Sequence, residues 1–293
     1  METQFEIRNL QRGEIGIIRE LTDDAKWNLS EEYMTFCYDS CPRGFFVAVT
    51  PSGEILGHCA AIAAGENLGF IAFFITRPGY RGRGIGVRVL QACMSFLGER
   101  NVSLVSGWDT ERLYASKGYR FSIYRIHGYT AVPNYQVVES LPCDDTVVVL
   151  DAQQVPFKQL AQYDQTFCPI ERSEFLRRWI SPSRCKTYVA MRMDTICGYV
   201  CRWQSAKGYR IMPLYANDLP VARMLFKSIV ASAPIGSQFE VGCPLDNAEG
   251  AEMFSSVLTP QPQKKRVRMF TKEVVPVDCT RTYSICGYDL VVI

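Results

Sequence analysis

The sequence predicts a mixed α/β protein, α+β in its arrangement, made of two similar halves in tandem, each a mixed, mostly antiparallel central sheet flanked by helices. Three observations predict it. Strand-like apolar runs between residues 45 and 76 are joined by turn residues; a glycine- and arginine-rich loop at 77–86 then leads into an apolar-periodic helix; and this order of elements recurs after Thr146.

In chain order, Ile15, Ile18 and Leu21 recur at spacings of three and predict a helix over Glu14–Lys26, followed by a loop-rich stretch. Phe45–Val49 and Glu54–Ala63 flank Thr50-Pro51-Ser52-Gly53, turn residues between two β-rich runs, and so predict a hairpin. Leu68–Thr76 is nearly all apolar, which places it mid-sheet, buried on both faces. Beyond the glycine-rich loop, Val87, Leu90, Met94 and Leu97 repeat at helical spacing. A strand Val102–Ser106, a helix Thr110–Ser116 ended by Lys117-Gly118, and a strand Tyr119–His127 complete the unit.

Tyr188–Met191, a turn at Asp194 and Ile196–Gly198 echo Phe46–Val49, Gly53 and Ile55–Gly57. Gly208-Tyr209 echoes Gly69-Phe70, and a helix over Val221–Ala233 answers Val87–Leu97. Pro142 and Asp144-Asp145 interrupt the strand-like runs, so the expected boundary divides 1–143 from 144–293.

Composition agrees with this organisation. A chain of 293 residues, 47% hydrophobic and 21% charged, fits a compact globular protein of two domains. Its 32 Lys+Arg against 30 Asp+Glu leave a net charge of +2, which gives no broad basic surface for nucleic acid and still allows a small phosphate-bearing ligand. The first sixteen residues, METQFEIRNLQRGEIG, lack the apolar core of a secretory signal, and apolar runs such as Phe70–Ile75 fall far short of the ~18 residues of a membrane span; the expectation is a cytoplasmic protein. The 12 cysteines form no C-x-x-C pair and the only histidines are His58 and His127, so reduced thiols and no bound metal are expected.

The sharpest feature is Arg81-x-x-Gly84-x-Gly86 between an apolar strand and an apolar-periodic helix. Amides at a helix N-terminus carry partial positive charge, and glycines let a ligand approach them closely; Arg81 and Arg83 add charge-assisted donors, which together suit a pyrophosphate. The G-x-x-x-x-G-K-[ST] loop is absent, and a Rossmann loop would open a parallel βαβ unit where here an antiparallel meander leads in.

This stretch resembles the signature [QR]-x-x-G-x-[GA] of the GNAT superfamily, the acetyl-CoA-dependent N-acetyltransferases. Leu113-Tyr114-Ala115-Ser116-Lys117-Gly118-Tyr119 is similar to that family's L-Y-x-x-x-G-[FY] element. Trp27-Asn28, Phe45–Ala48 and Pro213–Ala216 resemble a two-domain subgroup whose second half is degenerate. The resemblance implies acetyl-CoA as acyl donor, with the coenzyme A pyrophosphate on Arg81, Gly82, Arg83, Gly84, Ile85 and Gly86 and with Val87 opening the helix. It implies that pantetheine pairs like a strand with Phe74, Ile75 and Thr76, that Tyr114 is the general acid, and that the acyl group passes directly to a primary amine.

Two departures stand out. Gly107 occupies the place of a cofactor-contacting asparagine, and the strand Gly69–Thr76 has no carboxylate to serve as base. His58 is the natural candidate base, but it reads better as a histidine satisfied inside the sheet; ordered water, or capture of the neutral fraction of the amine, needs no side chain at all. The second half carries Leu214–Pro220 where the phosphate loop would be, and Asp218 would repel a pyrophosphate. Lys264-Lys265-Arg266 reads as a solvated run or a wall of the substrate cleft rather than a nucleic-acid site. Trp27, Tyr33, Phe36 and Tyr38, with Asp23, Asp24, Glu31, Glu32 and Asp39 nearby, point to a small cationic amine as acceptor. The alternative from another class is a catalytically silent acyl-CoA-binding or scaffolding protein.

Overall fold

The computed structural model describes residues 4–168, 170–181, 183, 185–258 and 264–287. The first half runs β1 (Glu6–Asn9), α1 (Ile15–Asp24), α2 (Glu31–Ser40), β2 (Phe45–Val49), β3 (Ile55–Ala64), β4 (Leu68–Thr76), α3 (Ile85–Leu97), β5 (Asn101–Gly107), α4 (Glu111–Ala115), β6 (Phe121–Ala131) and α5 (Tyr135–Ser140). The second runs β7 (Val147–Asp151), α6 (Phe157–Gln165), α7 (Ser173–Trp179), β8 (Cys185–Arg192), β9 (Thr195–Gln204), β10 (Tyr209–Ala216), α8 (Leu219–Ala231), β11 (Phe239–Pro244), α9 (Ala248–Val257), β12 (Lys264–Phe270) and β13 (Thr282–Ser284). The expected mixed α/β architecture of two halves is present.

The β2–β3 hairpin closes where its turn residues predict: Gly53 takes φ +88° and its N–H donates to Thr50 O at 2.9 Å. Helix α2 lies in the stretch the sequence presents as loop. Ser30 caps it, accepting from Tyr33 N at 3.2 Å, and its buried face is Tyr33, Met34, Phe36 and Cys37. The bulky side chains of that face score poorly as helix formers, so tertiary packing makes the helix. Similarly, Lys264–Arg266 are not a loop but the start of β12.

The halves share one sheet, in the order β1-β2-β3-β4-β5-β12-β6-β11-β10-β9-β8-β7, with β13 on β10. β12, from the second half, lies between β5 and β6; β6, from the first, lies between β12 and β11. Each half's sheet is thus completed by the other's strand, which removes the inner edges at which the halves would otherwise slide or aggregate.

One face is equally shared. Tyr33 and Phe36 of α2 pack edge-on against Trp179 and Trp203 of the second half, with ring centroids 5.3–6.1 Å apart. On the opposite face each half has its own core, one beneath α3 and one beneath α8 and α9. Among the described residues no helix is long and apolar enough to cross a membrane, and none of the cysteines is bridged.

Candidate active site

Strands β4 and β5 pair in parallel only over Leu68↔Asn101, Gly69↔Val102 and Phe70↔Ser103. Beyond that they part. β4 carries a bulge opposite His58–Ala60, where Phe73 takes φ +49°, a conformation costly for a bulky residue. His58 holds the bulge: its Nδ1 lies 3.1 Å from the Phe73 carbonyl. From Ile71 to Thr76 the second edge of β4 has no strand partner among the described residues.

The parting opens a cavity of about 650 Å³. It is lined by Ile71–Phe74 of β4 and Leu104–Gly107 of β5, by Lys26, Trp27, Asp109 and Tyr114, and by Arg210 with Lys264–Arg266 of the second half. A larger, shallower hollow of about 1120 Å³ borders Arg8, Thr50, Arg83 and Arg88 but includes neither Tyr114 nor the parted strands.

Just past β4 the glycine-rich loop turns into α3, which begins at Ile85, two residues before the expected Val87. Gly84 is its N-cap at φ +77°, with no side chain closing the first amides; Gly82 is at +76°. A Cβ at either position would meet nothing within 4 Å, so the loop is open as well as conformationally demanding. Gly86 differs: a Cβ there would lie 3.0 Å from Thr76 Oγ1 and 3.1 Å from Phe74 Cζ, so its role is to let α3 close on β4. Arg81 donates from Nε to Thr76 O at 3.1 Å, fastening loop to strand, and Arg83 stacks over Tyr80 at 5.4 Å. These residues bring uncapped helix amides, two arginines and the unpaired edge at Phe74, Ile75 and Thr76 into one line, a cradle that fits a phosphate ester with an extended amide-bearing arm.

Tyr114 lines the cavity, its ring edge-on to Tyr119 at 6.0 Å, and burial pushes its phenol up to about 12. It therefore holds its proton at neutral pH. His58 is fully buried between Phe45 and Phe73 and does not line the cavity; burial, opposed by the Phe73 carbonyl, pulls it down to about 4. It is a neutral, structural imidazole. At Gly107 a Cβ would run into the Asp109 carboxylate, which is the one acidic side chain among the described lining residues and which the sequence reading missed.

Of the expected acceptor residues, Trp27 lines the cavity. Tyr33 is 2% exposed in the aromatic core behind it, and Tyr38 donates its hydroxyl to Leu10 O at 3.1 Å, away from the cavity. None of Asp23, Asp24, Glu31, Glu32 and Asp39 lines it; Asp23 pairs with Arg19 and Asp39 with Arg12. Asn28 instead ties the α1–α2 connection to the second half, donating to Glu240 at 3.3 Å and accepting from Lys207 N at 2.6 Å.

In the second half β10 and β11 part in the same way after Tyr209↔Phe239 and Arg210↔Glu240. There the gap is filled by the chain itself. β13 pairs with β10, and Ser284 Oγ donates to Ile211 O at 2.8 Å while accepting from Gly242 N at 3.1 Å. The N-terminus of α8 is also closed: Asp218 accepts from Val221 N at 3.0 Å and pairs with Arg192 at 2.9 Å.

Two family profiles match the chain: "Acetyltransferase (GNAT) family" over residues 15–119 and "Acetyltransferase (GNAT) domain" over 160–284. The chain is 23% identical over 228 residues to a holothin acyltransferase from Pseudoalteromonas sp. (strain SANK 73390), covering 78% of this chain and 75% of the relative. Among solved structures it shares its fold with a putative acetyltransferase from Pyrococcus horikoshii, at a TM-score of 0.77 and 16% identity over 97% of this chain and 95% of that one. It also shares it with a tandem GNAT protein from the clavulanic acid biosynthesis pathway, at 0.66 and 11% over 93% and 100%.

Proposed function

This chain belongs to the GNAT acyltransferases as a protein of two GNAT domains, and we propose that its first half moves the acetyl group of acetyl-CoA onto the primary amine of a small molecule. The observation that carries the reading is the alignment of an uncapped α3 N-terminus, the unpaired β4 edge and a protonated Tyr114 around one cavity.

The pyrophosphate would lie on the Arg81–Gly86 amides and guanidinium groups, and Phe74–Thr76 would give the pantetheine amides an edge to pair with. The amine nitrogen attacks the thioester carbonyl, forming the C–N bond. Collapse of the tetrahedral adduct breaks C–S, and the departing thiolate takes the Tyr114 phenol proton. Such general acid catalysis contributes ~10²–10⁴-fold. The proton released by the nitrogen passes to water or to Asp109, and solvent restores the phenol. With its own strand in the gap and Asp218 on its helix, the second half takes no coenzyme and serves as the facing wall. We place the boundary between the domains at Leu141–Asp145, and the unbridged thiols suit a reducing compartment such as the cytoplasm.

The test is thiol release from acetyl-CoA and from longer acyl-CoAs against a panel of amines. Release in step with acceptor, fastest with the acetyl donor, supports the reading. Thermal stabilisation by coenzyme A with no amine-dependent thiol release identifies a silent acyl-CoA-binding protein instead.

A further inference from the structure

The cavity is strongly and asymmetrically charged. Lys26, Arg210, Lys264, Lys265 and Arg266 line it against the single carboxylate of Asp109. Behind this wall stands Glu240, 2% exposed, 3.7 Å from Arg210 Nε and 3.6 Å from Arg266 Nη2. Burial alone would raise its carboxyl, but Arg210, Arg266, Lys264 and the hydrogen bond from Asn28 together hold it below the usual carboxylate range, so it is ionised.

Counting Glu240 with the lining residues leaves a formal charge of +3 around this one cavity, more than the +2 of the whole chain. Four of the five cations come from the second half. Arg210 is itself 4% exposed and sits beside its β11 partner Glu240, which offsets part of the cost of burying its charge.

The placement of Arg266 is built in. Its guanidinium crosses over Gly128, where any Cβ would lie 2.8 Å from its Nη1, so the absence of a side chain on β6 lets it reach Glu240. Lys264 is pulled below the ordinary lysine range, by burial first and then by repulsion from Arg266 and Arg210, against the attraction of Glu240. Five cations against the carboxylates of Asp109 and Glu240 leave a positive surplus that an anionic ligand would offset. This face is distinct from the phosphate cradle: Arg210 lies over the Tyr33 ring at 5.8 Å, on the α2 side of the sheet, whereas α3 packs on the other face.

We propose that the acceptor is an amine whose scaffold also carries an anionic group, a carboxylate or a phosphate, held by Arg210, Lys264, Lys265 and Arg266 while the amine faces the thioester. This rests on the acyltransfer reading above and replaces the cationic acceptor that the loop aromatics and acids suggest from sequence. A bare ammonium or polyamine entering such a cavity meets like charge, whereas an anion is attracted.

The test uses matched pairs: γ-aminobutyrate against its amide, β-alanine against its amide, phosphoethanolamine against ethanolamine, with putrescine as the dicationic arm. Thiol release gives kcat/KM for each, and calorimetric titration of the coenzyme A-loaded protein reads recognition without turnover. The expected result is at least a tenfold preference for the anionic member of one pair, the pair favoured distinguishing carboxylate from phosphate. That preference shrinks at roughly 1 M salt and narrows several-fold in the Lys264→Gln/Lys265→Gln double variant. Lys264 and Lys265 are exposed at the start of β12 and make neither of the Glu240 ion pairs, so the variant leaves those pairs in place; Arg266→Lys is a second variant that keeps the positive charge. Acylation of all amines with no anionic preference, a preference for putrescine, or no binding of any anionic compound overturns the inference. Binding of the anionic members with no acylation of any amine leaves the inference standing and overturns the acyltransfer reading.

Discussion

Replacing His58 by Asn isolates the energetic consequence of burying an imidazole in a β-sheet. The Asn amide can donate to the Phe73 carbonyl from near the place of Nδ1, now 3.1 Å away, but does not titrate. In the folded chain burial pulls His58 from its ordinary 6.5 to about 4, so between those values the unfolded chain binds a proton that the folded one refuses. A group with a depressed folded pKa contributes fully above about pH 6.5, and its contribution is lost as pH falls through about 4. At 1.36 kcal/mol per unit, the loss across that window comes to ~3 kcal/mol. Urea unfolding of parent and His58→Asn at several values from about pH 7.5 to 4 gives the difference in stability, in which carboxylates common to both chains cancel. The parent's stability should fall by ~2–3 kcal/mol relative to the variant over that range. A difference constant to within ~0.5 kcal/mol refutes the buried neutral imidazole. The pH dependence of acylation supplies a second check: because His58 does not line the cavity, both proteins should show the same inflections. An inflection near neutrality that vanishes in the variant would make His58 the base.

Three further outcomes follow from named contacts. Tyr114→Phe should lower kcat at least tenfold with little change in coenzyme A affinity, since the hydroxyl acts on the departing thiolate; a fall below about threefold makes Tyr114 a packing residue. Gly84→Val places a β-branched residue at φ +77° and a side chain in the cradle. It should cost the fold ~1–2 kcal/mol and abolish the ~2.7 kcal/mol stabilisation given by coenzyme A at a hundredfold excess over its Kd, while a parent-sized shift in Tm would place the phosphate elsewhere. Arg172→Met removes the bidentate partner of Asp164, 2.6 Å away and 1% exposed, leaving it with the Tyr199 hydroxyl at 2.5 Å. Urea unfolding should show ~3–5 kcal/mol of destabilisation, and a change under ~1 kcal/mol would show that this buried pair does not hold the second half together.

In the first half α1, the β2–β3 hairpin, β4, α3, β5, α4 and β6 were legible because each depends on neighbours in sequence. The hairpin turn needs Gly53, the α3 cap needs Gly84, and the apolar run of β4 announces burial on both faces. The open glycine loop was legible for the same reason, being one continuous stretch from β4 to α3. Helix α2 was not, since its aromatic face is stabilised by Trp179 and Trp203, more than a hundred residues away. The strand exchange was equally hidden. β12 and β6 carry no local mark of which neighbours they will pair with, because hydrogen bonding between strands is indifferent to their separation in sequence. The pairing of β13 with β10 in the gap beside β11 is of the same kind, although the absence of a glycine loop and the presence of Asp218 before α8 were plain in the sequence.

The acceptor side shows the division most sharply. The acids near Trp27 stand close to it in the chain, yet none of them lines the cavity, and Asp23, Glu31 and Asp39 pair with Arg19 and Arg12 instead. Arg210, Glu240 and Lys264–Arg266 are far apart in sequence, and the pairing of β10, β11, β6 and β12 sets them side by side around one cavity. Local sequence determines conformations whose energies come from nearby atoms. The charge of a cavity is a sum over whichever side chains the fold brings within a few ångströms, and that sum exists only once the sheet has closed.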